Sequence, residues 1–145
     1  MQYRFLLTDT RFHATTTTRL AYVVVLAVAT LTPFQFDFEL ANIARRSAGA
    51  FQPGVTVRDG VDAVRNVALF SGWGVLWAAT ARGGQLIPIV RWATFTGLAL
   101  SVSIETLQLV IPERNSTVLD VFTNTLGSIV GAACFVLMVA VVFTL

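Results

Sequence analysis

Four apolar stretches, each long enough to cross a lipid bilayer as a helix, constrain the fold of this chain more than any other feature. A membrane-spanning helix needs roughly 20 mostly apolar residues. A backbone inside lipid must satisfy its own hydrogen bonds, so such stretches are expected to be helical. The sequence therefore predicts an all-α, polytopic membrane protein that forms one domain over residues 1–145. Its four transmembrane helices are expected at residues 16–34, 61–81, 86–111 and 118–145.

The composition supports this class and excludes others. Hydrophobic residues make up 55% of the 145 residues and charged residues 12%, whereas soluble domains have roughly 45–50% apolar and 25% charged residues. All ten basic residues are arginines scattered along the chain, so no basic stripe predicts nucleic-acid binding. No small-residue cleavage site follows the first stretch, which predicts a retained helix and not a signal peptide. We expect membrane lipids as partners.

The lengths of the connections predict how the helices are arranged. Residues 82–85 and 112–117 are short turns, and short turns make successive helices antiparallel neighbours. The second, third and fourth helices should therefore form an up-down bundle. The longer connection, residues 35–60, joins the first helix to this bundle. Apolar residues beside two arginines in it suit either a short helix on the membrane surface or an irregular loop: Phe36, Phe38, Leu40, Ile43, Arg45 and Arg46.

The arginines of the loops predict the orientation, because cytoplasmic loops carry an excess of basic residues. With a cytoplasmic N-terminus, five arginines lie inside and four outside. The inner set is Arg4, Arg11, Arg19, Arg82 and Arg91, and the outer set is Arg45, Arg46, Arg58 and Arg114. Both termini are therefore expected on the cytoplasmic face.

A single charged residue, Glu105, lies in the apolar stretch between Trp92 and Ile111. A buried acid in a membrane helix costs about 2 kcal/mol or more unless it faces protein or water. With a rise of 1.5 Å per residue, Glu105 lies about 9 Å inside the end of its helix. An acid at this depth predicts a functional site, provided that neighbouring helices supply partners.

Polar residues of the neighbouring helices reach the same layer as Glu105. The antiparallel order brings the start of the second helix, the end of the third and the start of the fourth to one membrane surface. Helical spacing then groups side chains on single faces: Asp62 and Asn66 on the second helix, Ser101, Glu105 and Gln108 on the third, and Asp120, Asn124 and Gly127 on the fourth. We predict a shared polar pocket open to one membrane surface.

Each of these residues also has a structural interpretation. Glu105 could form an ion pair with Arg65, and Asn66 and Asn124 could join helices by hydrogen bonds. Asp120 stands three residues after Thr117, which is the spacing of a helix-capping box. Capping is the favoured interpretation of Asp59, which stands three before Asp62. Gly127 and Gly131 have the small-xxx-small spacing of close helix packing.

The sequence contains none of the strong catalytic motifs. It has no Ser-His-Asp or Cys-His set, no HExxH and no phosphate-binding glycine loop, which weighs against an enzyme. Glu105 and Asp120 are the candidates for an acid or base if a reaction is catalysed. His13 has no second metal ligand nearby and Cys134 is the only cysteine, so neither a metal nor a cofactor is expected.

The ordered combination of these residues resembles the VanZ-like family of small membrane proteins. The resemblance covers about residues 62–131. Three segments carry it: Asn66-Val-Ala-Leu-Phe70 with Gly74; Ser101-Val-Ser-Ile-Glu105-Thr-Leu-Gln108; and Arg114, Asp120, Asn124, Gly127 and Gly131 at fixed spacing. The family usually has Pro where Gly72 stands, and often has acids where Thr117 and Leu119 stand.

The resemblance implies a multi-pass protein of the bacterial plasma membrane and cell envelope. It links the chain to resistance against the glycopeptide teicoplanin, and so to a lipid-linked or glycopeptide ligand. The candidate ligand-binding residues are Asn66, Glu105, Gln108, Arg114, Asp120 and Asn124. The candidate helix-packing residues are Gly74, Gly127 and Gly131.

Three functions agree with these observations. The first is an envelope protein whose outward-facing polar pocket binds a lipid or a cell-wall-related ligand. The second is a membrane enzyme that acts on a lipid or polyprenyl head group, with Arg114 steering an anion. The third is a non-catalytic subunit whose polar layer docks a membrane protein partner.

Overall fold

The computed structural model describes residues 16–51, 57–81, 85–114 and 116–142, and all the secondary structure within these ranges is helical. The all-α class is therefore confirmed. In chain order the helices are α1 (Thr16–Leu31), α2 (Leu40–Gly49), α3 (Val57–Thr80), α4 (Leu86–Gln108) and α5 (Val118–Val142).

Two of the helices, α4 and α5, are long and apolar enough to cross a membrane. The 16 residues of α1 are fewer than the roughly 20 that a span needs. The 24 residues of α3 are enough, but four charged residues lie near its start: Arg58, Asp59, Asp62 and Arg65. Two of the four predicted crossings thus have the required length and composition, and the four-crossing topology stays a prediction.

Helix ends differ from the predicted ones where proline or charge intervenes. Predicted ends at residues 34 and 111 lie three residues beyond the observed ends at Leu31 and Gln108. Pro33 and Pro112 explain this, because proline has no N–H to donate and restricts the residue before it. α3 begins four residues before the predicted start at residue 61. Asp59 therefore lies inside the first turn, where its charge suits the positive end of the helix, and does not precede the helix as a cap.

The bundle is built around the contact between α3 and α5. α4 packs against both of these helices, and α1 lies against α3 and α4. A Cβ atom at Gly131 would overlap the carbonyl group of Ser71, and one at Gly74 would overlap that of Ser128. At Gly127 it would meet the backbone of Val67. The structure thus places all three candidate packing glycines where the α3 and α5 backbones approach too closely for a side chain.

Two buried apolar clusters lie along the bundle. One contains Leu26, Leu31, Phe70, Ile104 and Ile111, and the other contains Ala78, Ile89, Ala93 and Ala132. The hydroxyl of Tyr22 donates to the Leu69 carbonyl oxygen at 2.6 Å, which joins α1 to α3. Near the start of α1, the Arg19 guanidinium lies 3.9 Å from the centre of a Trp77 ring. The register of α1 is therefore set by specific contacts as well as by apolar burial.

The long connection contains a helix, α2, so a short helix and not a wholly irregular loop forms there. Arg46 makes a salt bridge with Asp37 and donates to the Leu109 carbonyl oxygen at 2.7 Å. The N–H of Asp37 donates to the Val110 carbonyl oxygen at 2.7 Å. These bonds attach α2 and the segment before it to the end of α4.

Several sequence predictions fall outside the described residues. They concern Arg4, Arg11 and His13 near the N-terminus, residues 82–84 of the turn between α3 and α4, Asn115 and residues 143–145.

Candidate functional site

A partly open polar cavity lies at the end of the bundle where α3 and α5 begin and α4 ends. Its volume is about 140 Å³. All six candidate ligand-binding residues line it, and α1 and the α4–α5 turn also contribute. The lining residues are Thr30, Asp59, Asp62, Arg65, Asn66, Glu105, Gln108, Glu113, Arg114, Thr117, Asp120 and Asn124.

Glu105 is buried at this cavity and has no cationic partner among the described residues. Its side chain is 7% exposed, and its Oε2 atom accepts no hydrogen bond from the described residues. The hydroxyl of Ser116 and the N–H of Thr117 approach the same carboxylate. Arg65 donates instead to the carbonyl oxygen of Ala29 at 2.6 Å. The interpretation of Glu105 as the ion-pair partner of Arg65 is therefore wrong.

Asn124 supplies a second buried acceptor to the cavity. Its side chain is 2% exposed, and its Nδ2 atom donates to the Ser101 hydroxyl at 2.9 Å. Its Oδ1 atom has no donor among the described residues. Most buried polar atoms in proteins have a hydrogen-bond partner, so two unpaired oxygens at one cavity, from α4 and α5, suit a ligand that brings donors.

Asp120 has a different environment, because its carboxylate oxygens are already bonded. The Thr117 hydroxyl donates to Oδ2 at 2.6 Å, and Asn66 donates to Oδ1 at 2.7 Å. The N–H of Asp120 donates in turn to the Thr117 hydroxyl at 3.1 Å. The capping role of Asp120 is confirmed, and Asn66 joins α3 to α5 through it.

Gln108 and Arg114 connect the cavity to α1. Gln108 Nε2 donates to the Thr30 carbonyl oxygen at 2.9 Å. Arg114 donates to the Thr32 carbonyl oxygen from Nε at 3.1 Å and from Nη2 at 2.7 Å. Thr30 cannot be assigned to the site from the sequence, because the 26-residue connection leaves the register of α1 against the other helices open. The signal in the sequence is a threonine within the mostly apolar run at residues 20–31.

The family of the chain follows from a comparison with protein-family models. The model described as VanZ/LLP1 matches residues 5–139, which is nearly the whole chain. The chain belongs to the VanZ/LLP1 family. Comparison with curated proteins and with solved structures gives no match. Together with the two long apolar helices, membership of the VanZ/LLP1 family indicates association with a membrane.

The cavity of this VanZ/LLP1 protein is predominantly acidic. Its lining contains five carboxylic acids and two arginines. Both arginines donate to backbone carbonyl groups of α1 and the residue after it, and neither forms a salt bridge with a described acid. No group of His, Cys, Asp and Glu side chains among the described residues is arranged to hold a metal ion. The arrangement favours a ligand with a positive charge or several hydrogen-bond donors.

Proposed function

We propose that this VanZ/LLP1 protein crosses the bacterial plasma membrane four times, with both termini in the cytoplasm. Its polar cavity then faces outward and binds a lipid head group or a cell-wall-related ligand, and through that ligand the protein contributes to glycopeptide (teicoplanin) resistance. The observation that carries the proposal is the pair of buried acceptors at the cavity, Glu105 Oε2 and Asn124 Oδ1.

The size of the cavity supports a small ligand group. A cavity of about 140 Å³ resembles the engineered cavity of roughly 150 Å³ that holds benzene. A glycopeptide is far larger than benzene, so the proposal assigns the cavity to part of a membrane-resident molecule and not to the whole antibiotic. Resistance then depends on how binding by the protein alters that membrane-resident molecule, and not on direct binding of the antibiotic.

The contacts of the two candidate catalytic acids favour binding over catalysis. A general acid–base reaction needs a group that can exchange a proton with the substrate. Asp120 uses its carboxylate to cap α5 and to hold Asn66. Of the two candidates, Glu105 alone retains an unbonded oxygen. The site therefore offers one acid or base and not a pair of them, which suits recognition of a hydrogen-bond donor better than acid–base catalysis.

The test is a susceptibility assay with Glu105→Gln. This variant keeps the size of the side chain and removes its negative charge. The matched control is Glu39→Gln, which removes an exposed charge outside the cavity, next to α2. We expect Glu105→Gln to lose teicoplanin or cell-wall-stress tolerance at normal expression, and Glu39→Gln to retain it. Full tolerance of Glu105→Gln at the wild-type protein level rejects the proposed function.

A further inference from the structure

We propose that the cavity binds the primary ammonium group of a phosphate-containing lipid head group, as in an ethanolamine phospholipid. This inference rests on the proposed function and specifies the chemistry of its ligand. The ammonium lies at the buried end of the cavity and the phosphate at its exposed end.

The buried end offers acceptors from two helices. Glu105 Oε2 on α4 and Asn124 Oδ1 on α5 both lack donors among the described residues, and both side chains are more than nine-tenths buried. A primary ammonium has three donors and no acceptor. It can therefore satisfy both oxygens at once, and its bond to the Glu105 carboxylate is charge-assisted.

The charges of the lining favour a cation at this end. Acids outnumber arginines by five to two around the cavity. An anion at the buried end would meet the carboxylates of Glu105 and Asp120, whereas a cation offsets them. The cavity volume of about 140 Å³ suits the few atoms of an aminoethyl group.

The exposed end offers donors for the phosphate. Arg65 is exposed and Arg114 is half-buried, so both are nearer to solvent than Glu105 and Asn124. Each guanidinium has five N–H donors, of which Arg65 uses Nη2 and Arg114 uses Nε and Nη2 on carbonyl oxygens. The remaining donors suit a phosphate oxygen.

This arrangement distinguishes three head groups that share a phosphate. Phosphatidylethanolamine supplies N–H donors and a positive charge. Phosphatidylcholine has the charge, but its methylated nitrogen has no N–H to donate to Glu105 and Asn124. Phosphatidylglycerol has hydroxyl donors but no positive charge to offset the acids.

The test is a binding titration of the purified full-length protein in detergent with short-chain forms of these three lipids. Native mass spectrometry measures the bound fraction at each lipid concentration. We expect phosphatidylethanolamine to bind at least tenfold more tightly than either of the others. Glu105→Gln should reduce this preference about tenfold, and Glu39→Gln should keep it. Free O-phosphoethanolamine is a competitor that distinguishes the sources: competition at similar concentration indicates recognition of the head group alone, and its failure to compete indicates an intact lipid.

The outcomes separate this inference from the proposed function. Equal binding of phosphatidylethanolamine and phosphatidylcholine to the wild-type protein overturns the ammonium assignment, and needs no variant to fold. If Glu105→Gln still loses envelope tolerance in that case, a different ligand occupies the cavity and the proposed function stands. Equal binding together with full tolerance of Glu105→Gln overturns both.

Discussion

At the scale of single residues, the environment of Glu105 has the largest consequence. Its depth in an apolar stretch can be read from the sequence, but its surroundings cannot. The sequence places Arg65 at a similar depth in the bundle, where it could neutralise Glu105. In the structure its guanidinium instead donates to the carbonyl oxygen of Ala29. The carboxylate faces hydroxyl and N–H groups of the α4–α5 turn instead. Removing the charge of Glu105 therefore leaves no buried cation unpaired.

The first prediction concerns the stability of Glu105→Gln. Breaking a buried ion pair costs about 3–5 kcal/mol, but no such pair with Arg65 is present. Gln keeps one oxygen that can accept a hydrogen bond from the α4–α5 turn, so we expect the free energy of unfolding to change by no more than the roughly 1 kcal/mol of one hydrogen bond. Thermal melting of the purified variants in detergent measures this. A large loss of stability that Arg65→Gln restores in the double variant would contradict the structure.

At the scale of helices, the α3–α5 contact depends on glycines, because a residue without a side chain lets the two backbones approach closely. The backbones approach at Gly74, Gly127 and Gly131, where an added Cβ would meet backbone atoms of the other helix. Backbone atoms cannot rotate away as a flexible side chain can. The beginnings of both helices carry cavity residues, so their separation fixes the bond between Asn66 and Asp120.

The second prediction tests this contact with Gly131→Leu. The larger side chain must push α5 away from Ser71 on α3. Overpacking typically costs 1–3 kcal/mol, so we expect a lower melting temperature and a lower folded yield. Val139→Leu, half-buried on the same helix, is the matched control and should have little effect. Equal tolerance of both changes would place the glycine stripe outside the helix contact.

The third prediction concerns the attachment of α2. The N–H of Glu39, the Asn42 amide and the Arg46 guanidinium lower the pKa of Asp37 below its ordinary value of 3.8. A lowered pKa in the folded state stabilises at pH values above the ordinary one, and this contribution is lost as pH falls through the lowered pKa. Amide hydrogen exchange in α2 should therefore rise relative to α5 as the pH is lowered below about 4.

Asp37→Asn is the control for this effect. It removes the titrating group, so exchange in α2 relative to α5 should be faster at neutral pH and should change little on acidification. The same acid-dependent rise in the variant as in the wild type would assign the effect to another group.

At the scale of the whole molecule, the cavity and the attachment of α2 lie at the same end of the bundle. The antiparallel order of α3, α4 and α5 brings the start of α3, the end of α4 and the start of α5 together at that end, whichever way the protein is inserted. Orientation is a separate question, for which the arginine distribution predicts an outward-facing cavity. Ala50 and Ser116 lie at the cavity end, so labelling these two positions reports which side of the membrane that end faces.

The fourth prediction tests this orientation by cysteine accessibility. Cys134 is exposed and should first be replaced by serine. Single cysteines at Ala50 and Ser116 should then react with a membrane-impermeant reagent added outside intact cells. A cysteine at Gly84, in the predicted turn at residues 82–85, should react only after the cytoplasmic side is opened. The reverse pattern would show that the cavity faces the cytoplasm and would contradict the predicted orientation.

The sequence by itself determined the helical class, the approximate helix positions and which polar residues share a layer. These properties follow from local rules: apolar length, proline and helical spacing act within one segment. It could not determine the bonding state of Glu105, Asn124 and Asp120, because that depends on side-chain directions across helices. It also could not place α1 or Thr30, since a long connection permits many registers. Only tertiary packing left two buried oxygens unpaired at one cavity, because glycines bring α3 and α5 together while carbonyl oxygens of α1 and Thr32 hold the arginines.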